Sequence, residues 1–99
     1  MDTLKSLFEQ KRYQEVIEAC NQILIKDKNA LYALKLIAKS FLATKRLEDA
    51  RLYFKKVLNL NPSDYEAIKD LGNLYQASGD NYNAKKYYLK AISINSNYA

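Results

Sequence analysis

The chain has no histidine, one cysteine, one proline and two glycines in 99 residues, and each scarcity removes a class of answer. Without histidine, the commonest general base and the commonest metal ligand are both missing. A lone cysteine, Cys20, makes neither an internal disulfide nor a thiolate metal site, and it suits a reducing compartment. So few prolines and glycines argue for long helices over a turn-rich β-fold. No apolar run approaches the roughly 18 residues that span a bilayer. The N-terminus also lacks the basic stretch and apolar core of a secretory signal, so the expected location is cytoplasmic. Neither Gly72 nor Gly79 lies in a phosphate-cradling loop pattern, and the adjacent Glu48 and Asp49 suit a helix dipole better than acid–base work. The residues therefore predict no enzyme, no metal and no cofactor.

What the chain does have is a period. Residues 31–64 and 65–98 align without a gap at a spacing of 34. Ala33, Lys35, Ala43, Ala50, Tyr53, Lys56 and Asn61 return as Ala67, Lys69, Ala77, Ala84, Tyr87, Lys90 and Asn95. Residues 1–30 follow the template weakly, as a truncated first unit. A fixed period of this length marks stacked supersecondary units, none able to bury its apolar face alone. The whole of 1–99 is thus read as one repeat domain, with apolar residues at 48% and charged ones at 27%, the balance of a folded chain.

Apolar side chains fall at helical spacing in six windows, predicting helices over about 2–10, 13–26, 30–43, 47–60, 64–77 and 81–94. Leu34, Ile37, Ala38 and Phe41 make one face of a leading helix, and Ala50, Phe54, Val57 and Leu58 one face of its trailing partner. Ile68, Leu71, Gly72 and Tyr75, then Ala84, Tyr88, Ala91 and Ile92, copy them. Asn61-Pro62 ends a helix, and Ser63 with Glu66 forms a capping-box pattern for the next. Gly79 supplies a turn between paired helices; Lys11 and Lys45 stand in its place in the other repeats, where strain or a different turn shape is expected.

These residues resemble the tetratricopeptide repeat, which is marked by a large residue, Leu-Gly, Tyr, a later Ala, an aromatic and a closing Pro. Ile68, Leu71-Gly72, Tyr75, Ala84 and Tyr88 fit that series, as do Leu34, Ile37-Ala38, Phe41, Ala50, Phe54 and Pro62. In the first unit Val16, Cys20 and Lys28 replace the small, aromatic and proline positions. The resemblance implies an all-α, right-handed solenoid of six helices in antiparallel pairs. It also implies a concave groove, lined by the leading helices, that holds a peptide or partner protein.

By that resemblance the candidate groove residues are Lys5, Tyr32, Lys35, Leu36, Lys39, Lys69 and Asn73, a track of ammonium groups with an apolar spot at Tyr32 and Leu36. A partner bearing a carboxylate and a hydrophobic anchor would suit it. Some relatives clamp the C-terminal carboxylate of heat-shock chaperones, but Leu36, Glu66 and Asp70 stand where clamp residues are needed, and the acidic pair would repel it. Arg51, Lys55, Lys56, Lys85, Lys86 and Lys90 form a second, convex basic set on the trailing helices. Such lysines attract polyanions such as nucleic acid or an anionic surface in a salt-sensitive way, although without interleaved exposed aromatics a nucleic-acid partner is disfavoured. A third possibility is the accessory end of a larger enzyme. The last residues read like the start of another repeat, leaving Leu89, Ile92 and Ile94 partly uncovered. Such an end suits a longer array or self-association.

Overall fold

The computed structural model describes residues 3–95. It contains α1 (Thr3–Glu9), α2 (Tyr13–Lys26), α3 (Leu31–Ala43), α4 (Leu47–Leu60), α5 (Tyr65–Ala77) and α6 (Asn81–Ile94), with no strand among the described residues. The helices pack mainly on their neighbours in the chain, and α3 also touches α5 directly. The arrangement is a stack of antiparallel hairpins in which α1, α3 and α5 lead while α2, α4 and α6 trail.

The core is the predicted apolar stripes facing one another. Val16, Cys20, Ile37, Ala38, Ala50, Phe54, Val57, Ile68 and Leu71 are fully buried. Burial pushes the Cys20 thiol up to about 11, so it packs as a small hydrophobe. At Gly72 the hairpin partners α5 and α6 come into tight contact. A Cβ on Gly72 would come within 2.7 Å of the Tyr88 ring, so only glycine fits there without displacing Tyr88. The second aromatic layer repeats at the same period: Phe41 meets Tyr53 at 5.6 Å between ring centroids, and Tyr75 stacks on Tyr87 at 5.4 Å. These tyrosines and Tyr88 are half-buried packing residues, as the pattern predicts.

All three hairpin turns share one shape. The amides of Arg12, Arg46 and Asp80 donate to the carbonyls of Leu7, Phe41 and Tyr75, while those of Lys11, Lys45 and Gly79 donate to Phe8, Leu42 and Gln76. This is the Schellman pattern, which needs a left-handed residue. Gly79 takes φ 83°, and Lys11 and Lys45 are held at φ 64° and 65°. Of the two outcomes expected at those lysines, strain is therefore the one that occurs: the turn keeps its form despite an unfavourable residue.

One boundary signal is corrected. The N-cap of α5 is Asp64 and not Ser63, its side chain accepting the Ala67 amide at 3.0 Å. A preceding turn, closed by the Asp64 amide on the Asn61 carbonyl, delays the helix start by one residue. Glu66 is thereby freed from a capping-box role. The predicted start of the first helix at Asp2 lies outside the described residues.

Candidate functional site

The stripe of each leading helix that faces away from its trailing partner is set by the same 3.6-residue geometry that buries Leu34, Ile37 and Phe41. Between α1 and α3 this face forms a concavity of about 490 Å³. Leu4, Phe8, Tyr32 and Leu36 supply its apolar wall; Lys5, Lys35, Lys39, Glu9 and Glu66 supply its charges. Tyr32 keeps 63% of its surface exposed, a large open apolar side chain at the mouth. Lys5, Tyr32, Lys35, Leu36 and Lys39, five of the seven groove residues inferred from sequence, thus line one concavity. Leu4, partly buried against the core, lines it too.

The other end of the groove is chemically different. The residues one period after Ala30, Tyr32 and Leu36 are Asp64, Glu66 and Asp70, and they meet the lysines of α3. Lys35 Nζ lies 3.1 Å from both Asp64 and Glu66, and Lys39 Nζ lies 2.9 Å from Glu66 and 3.3 Å from Asp70. Two ammonium groups are thus interleaved with three carboxylates from α5 and its cap. Burial works to lower the lysine pKa values, yet the hydrogen bonds to Asp64 and Glu66 prevail at Lys35 and hold it above its ordinary value. At Lys39 the same contest, won by Glu66 and Asp70, gives the same direction. The hydrogen bond from Lys39 holds Glu66 below the usual carboxylate range.

Asp70 behaves oppositely. It is buried, and loss of solvation raises its pKa despite the nearby Lys39. Its Oδ2 accepts no well-formed hydrogen bond, which accounts for the incomplete compensation. The expected row of open ammonium groups is therefore a closed ladder of ion pairs between the second and third repeats. Reading the sequence for rows on single helices missed Asp64 as a member; the signal available was the acidic trio at the period after an apolar one.

Lys69 is half-buried on α5, and Asn73 is exposed, accepting from the Tyr88 hydroxyl. Neither belongs to the wall of the α1–α3 concavity. The convex cations are not gathered either. Arg51 is engaged by Glu48 at 2.7 Å, Lys56 lies over the Tyr53 ring in a crevice beside α2, and Lys85 lines a different depression with Tyr88 and Leu89. Lys55, Lys86 and Lys90 are exposed on α4 and α6. No described helix is long and apolar enough to cross a membrane.

A family model described as tetratricopeptide repeat matches residues 32–64 and 66–98. The chain belongs to the tetratricopeptide-repeat family. Its fold is similar to the crystal structure of MamA, with a TM-score of 0.89 at 20% identity, over 96% of this chain and 56% of that one. It is equally similar to the first TPR of Spaghetti (RPAP3) bound to the HSP90 peptide SRMEEVD, with a TM-score of 0.89 at 21% identity, covering 97% of this chain and 76% of that one. In sequence it is similar to the cell division cycle protein 27 homolog of Caenorhabditis elegans, 29% identical over 86 residues, which is 87% of this chain and 11% of that protein. The chain therefore corresponds to a small part of this curated relative and about half of MamA. Tetratricopeptide repeats are scaffolds for protein–protein interaction, a family without catalytic machinery of its own.

Proposed function

We propose that this tetratricopeptide-repeat chain captures a segment of a partner protein in the groove of its leading helices, with an apolar side chain of the partner seated among Leu4, Phe8, Tyr32 and Leu36. The observation that carries this reading is the concavity itself, open and apolar at the α1–α3 end but closed by ion pairs at the α3–α5 end. The peptide-bound RPAP3 neighbour supports a polypeptide as occupant.

The charge pattern changes what the partner must carry. Lys35 and Lys39 are already engaged by three carboxylates, so a partner carboxylate would have to displace Glu66 to reach them. Recognition falls instead on the apolar anchor, with Lys5 at the rim and Lys69 and Asn73 extending the track beyond the ladder. Covering the exposed Tyr32 ring is worth about 1.5–3 kcal/mol, enough to make it a dominant contact, and the half-buried Leu36 adds a smaller share.

Panning a random peptide library on the chain, followed by calorimetric titration of the selected peptides, tests this. Tyr32→Ala and Leu36→Asp should each weaken binding by about tenfold or more. Undiminished affinity in both variants, with folding confirmed by circular dichroism, would refute it.

A further inference from the structure

Lys35 and Lys39 are paired in the groove, whereas Lys28 and Lys56, which meet no carboxylate partner among the described residues, frame a separate hollow. Two adjoining depressions of about 260 and 380 Å³ share Lys28, Leu34 and Lys56 and lie where the C-terminal ends of α2 and α4 flank the start of α3. Leu34 forms the buried floor; Leu24, Ile25 and Leu60 form the sides, with Ile25 exposed over 76% of its surface and Leu60 over 46%. Lys28 and Lys56 are exposed at the edges, and among the described residues neither has a carboxylate within ion-pair distance. Lys56 is instead steadied over the Tyr53 ring, 4.8 Å from its centroid, which keeps its ammonium group beside the hollow.

We infer that this trailing-helix hollow is a second docking site, for an acidic peptide segment that carries an apolar side chain between carboxylates. Charge complementarity decides the class of occupant. Residues 31–64 hold seven basic and three acidic side chains. The acidic trio meeting α3 neutralises the concave lysines, so the excess of positive charge remains on the trailing side. A bare polyanion would use the two ammonium groups but leave the leucine and isoleucine walls wet. An uncharged apolar segment would cover the walls but leave the lysines without partners. Carboxylates two residues either side of a leucine answer both features, and the side-chain amides of Asn21 and Asn59 offer hydrogen bonds to an extended backbone.

The test uses a rhodamine-labelled, end-blocked peptide seven residues long, with a central leucine, a glutamate two residues to either side and serine elsewhere, titrated by fluorescence anisotropy at moderate salt. Saturable binding is expected, weakened about tenfold or more by the paired substitutions Lys28→Glu and Lys56→Glu, and by a smaller factor in Lys28→Gln with Lys56→Gln. Leu60→Ala should also weaken it, while Leu36→Asp in the concave groove leaves it unchanged. Equal binding of a glutamate-only peptide would show a bare polyanion surface and overturn the inference. So would loss of binding in Leu36→Asp alone, sedimentation as a dimer with the hollow covered, or no saturable binding at all. Loss in Leu36→Asp alone would move the peptide to the concave groove, and none of these outcomes removes capture of library-selected peptides there, so the two readings fail separately.

Discussion

The edge of the Tyr88 ring occupies the space into which a side chain on Gly72 would grow, only 2.7 Å from the nearest ideal Cβ position. Gly72→Ala must therefore push Tyr88 aside and break its hydroxyl contacts to Asn73 and Gln76. Alanine recovers about 1 kcal/mol of helix propensity, against an overpacking cost of about 1–3 kcal/mol. Net destabilisation is expected in chemical denaturation, and Gly72→Val should be clearly worse. A stabilised Gly72→Ala would mean that Tyr88 yields freely.

Lys11 and Lys45 sit at positive φ in turns whose third copy uses Gly79. Lys45→Gly removes the left-handed penalty and adds some unfolded-state entropy, so a net gain of about 0.5–1 kcal/mol is expected. Gly79→Lys should lose a similar amount. Thermal melts of the two single variants, compared with the parent chain, check both signs.

The Lys39–Asp70 contact gives a pH signature. Lys39→Met strands the buried Asp70 carboxylate, and destabilisation of about 1–3 kcal/mol is expected at pH 7. Asp70 has a raised pKa, so its protonated form favours the fold, and stability from this group rises as pH falls through its folded pKa. Glu66 is lowered by Lys39, so its contribution is present at neutral pH and is lost as pH falls through its folded pKa. Both shifts make the Lys39→Met penalty shrink between pH 7 and the carboxylate range. Urea melts across that interval should show convergence with the parent chain; a constant gap would contradict the ladder.

Cys20 is fully buried with its thiol pushed up to about 11. Its modification by a thiol reagent at pH 8 should proceed only through unfolding, so the rate in native buffer should rise steeply with added urea. Prompt reaction without denaturant would place the thiol at the surface.

The fold was legible because its signals are local. Pro62 marks a helix break whatever lies around it, and Ala38, Gly72, Ala50 and Ala84 announce close helix contacts through their size. The Schellman turns at Lys11 and Lys45 were half legible: their place follows from the period, but a positive φ in lysine is imposed by the backbone hydrogen bonds that close the turn, which the side-chain pattern does not reveal. The ion-pair ladder was hidden for a related reason. Periodicity puts Lys35 and Lys39 on one face of α3, but their meeting with Asp64, Glu66 and Asp70 depends on the stagger between α3 and α5, which no single helix encodes. The α1–α3 concavity sits between these cases. Tyr32 and Leu36 were visible as an apolar spot, whereas the part Leu4 plays in the wall depends on how α1 is set against α3.

Chemical-shift mapping with a library-selected peptide tests groove capture most directly. At saturation, the largest backbone amide shifts should fall on Lys5, Phe8, Tyr32, Leu36 and Lys39, with the trailing helices little changed. Shifts confined to α2, α4 and α6, or none with the peptide fully bound, would contradict capture by the leading helices.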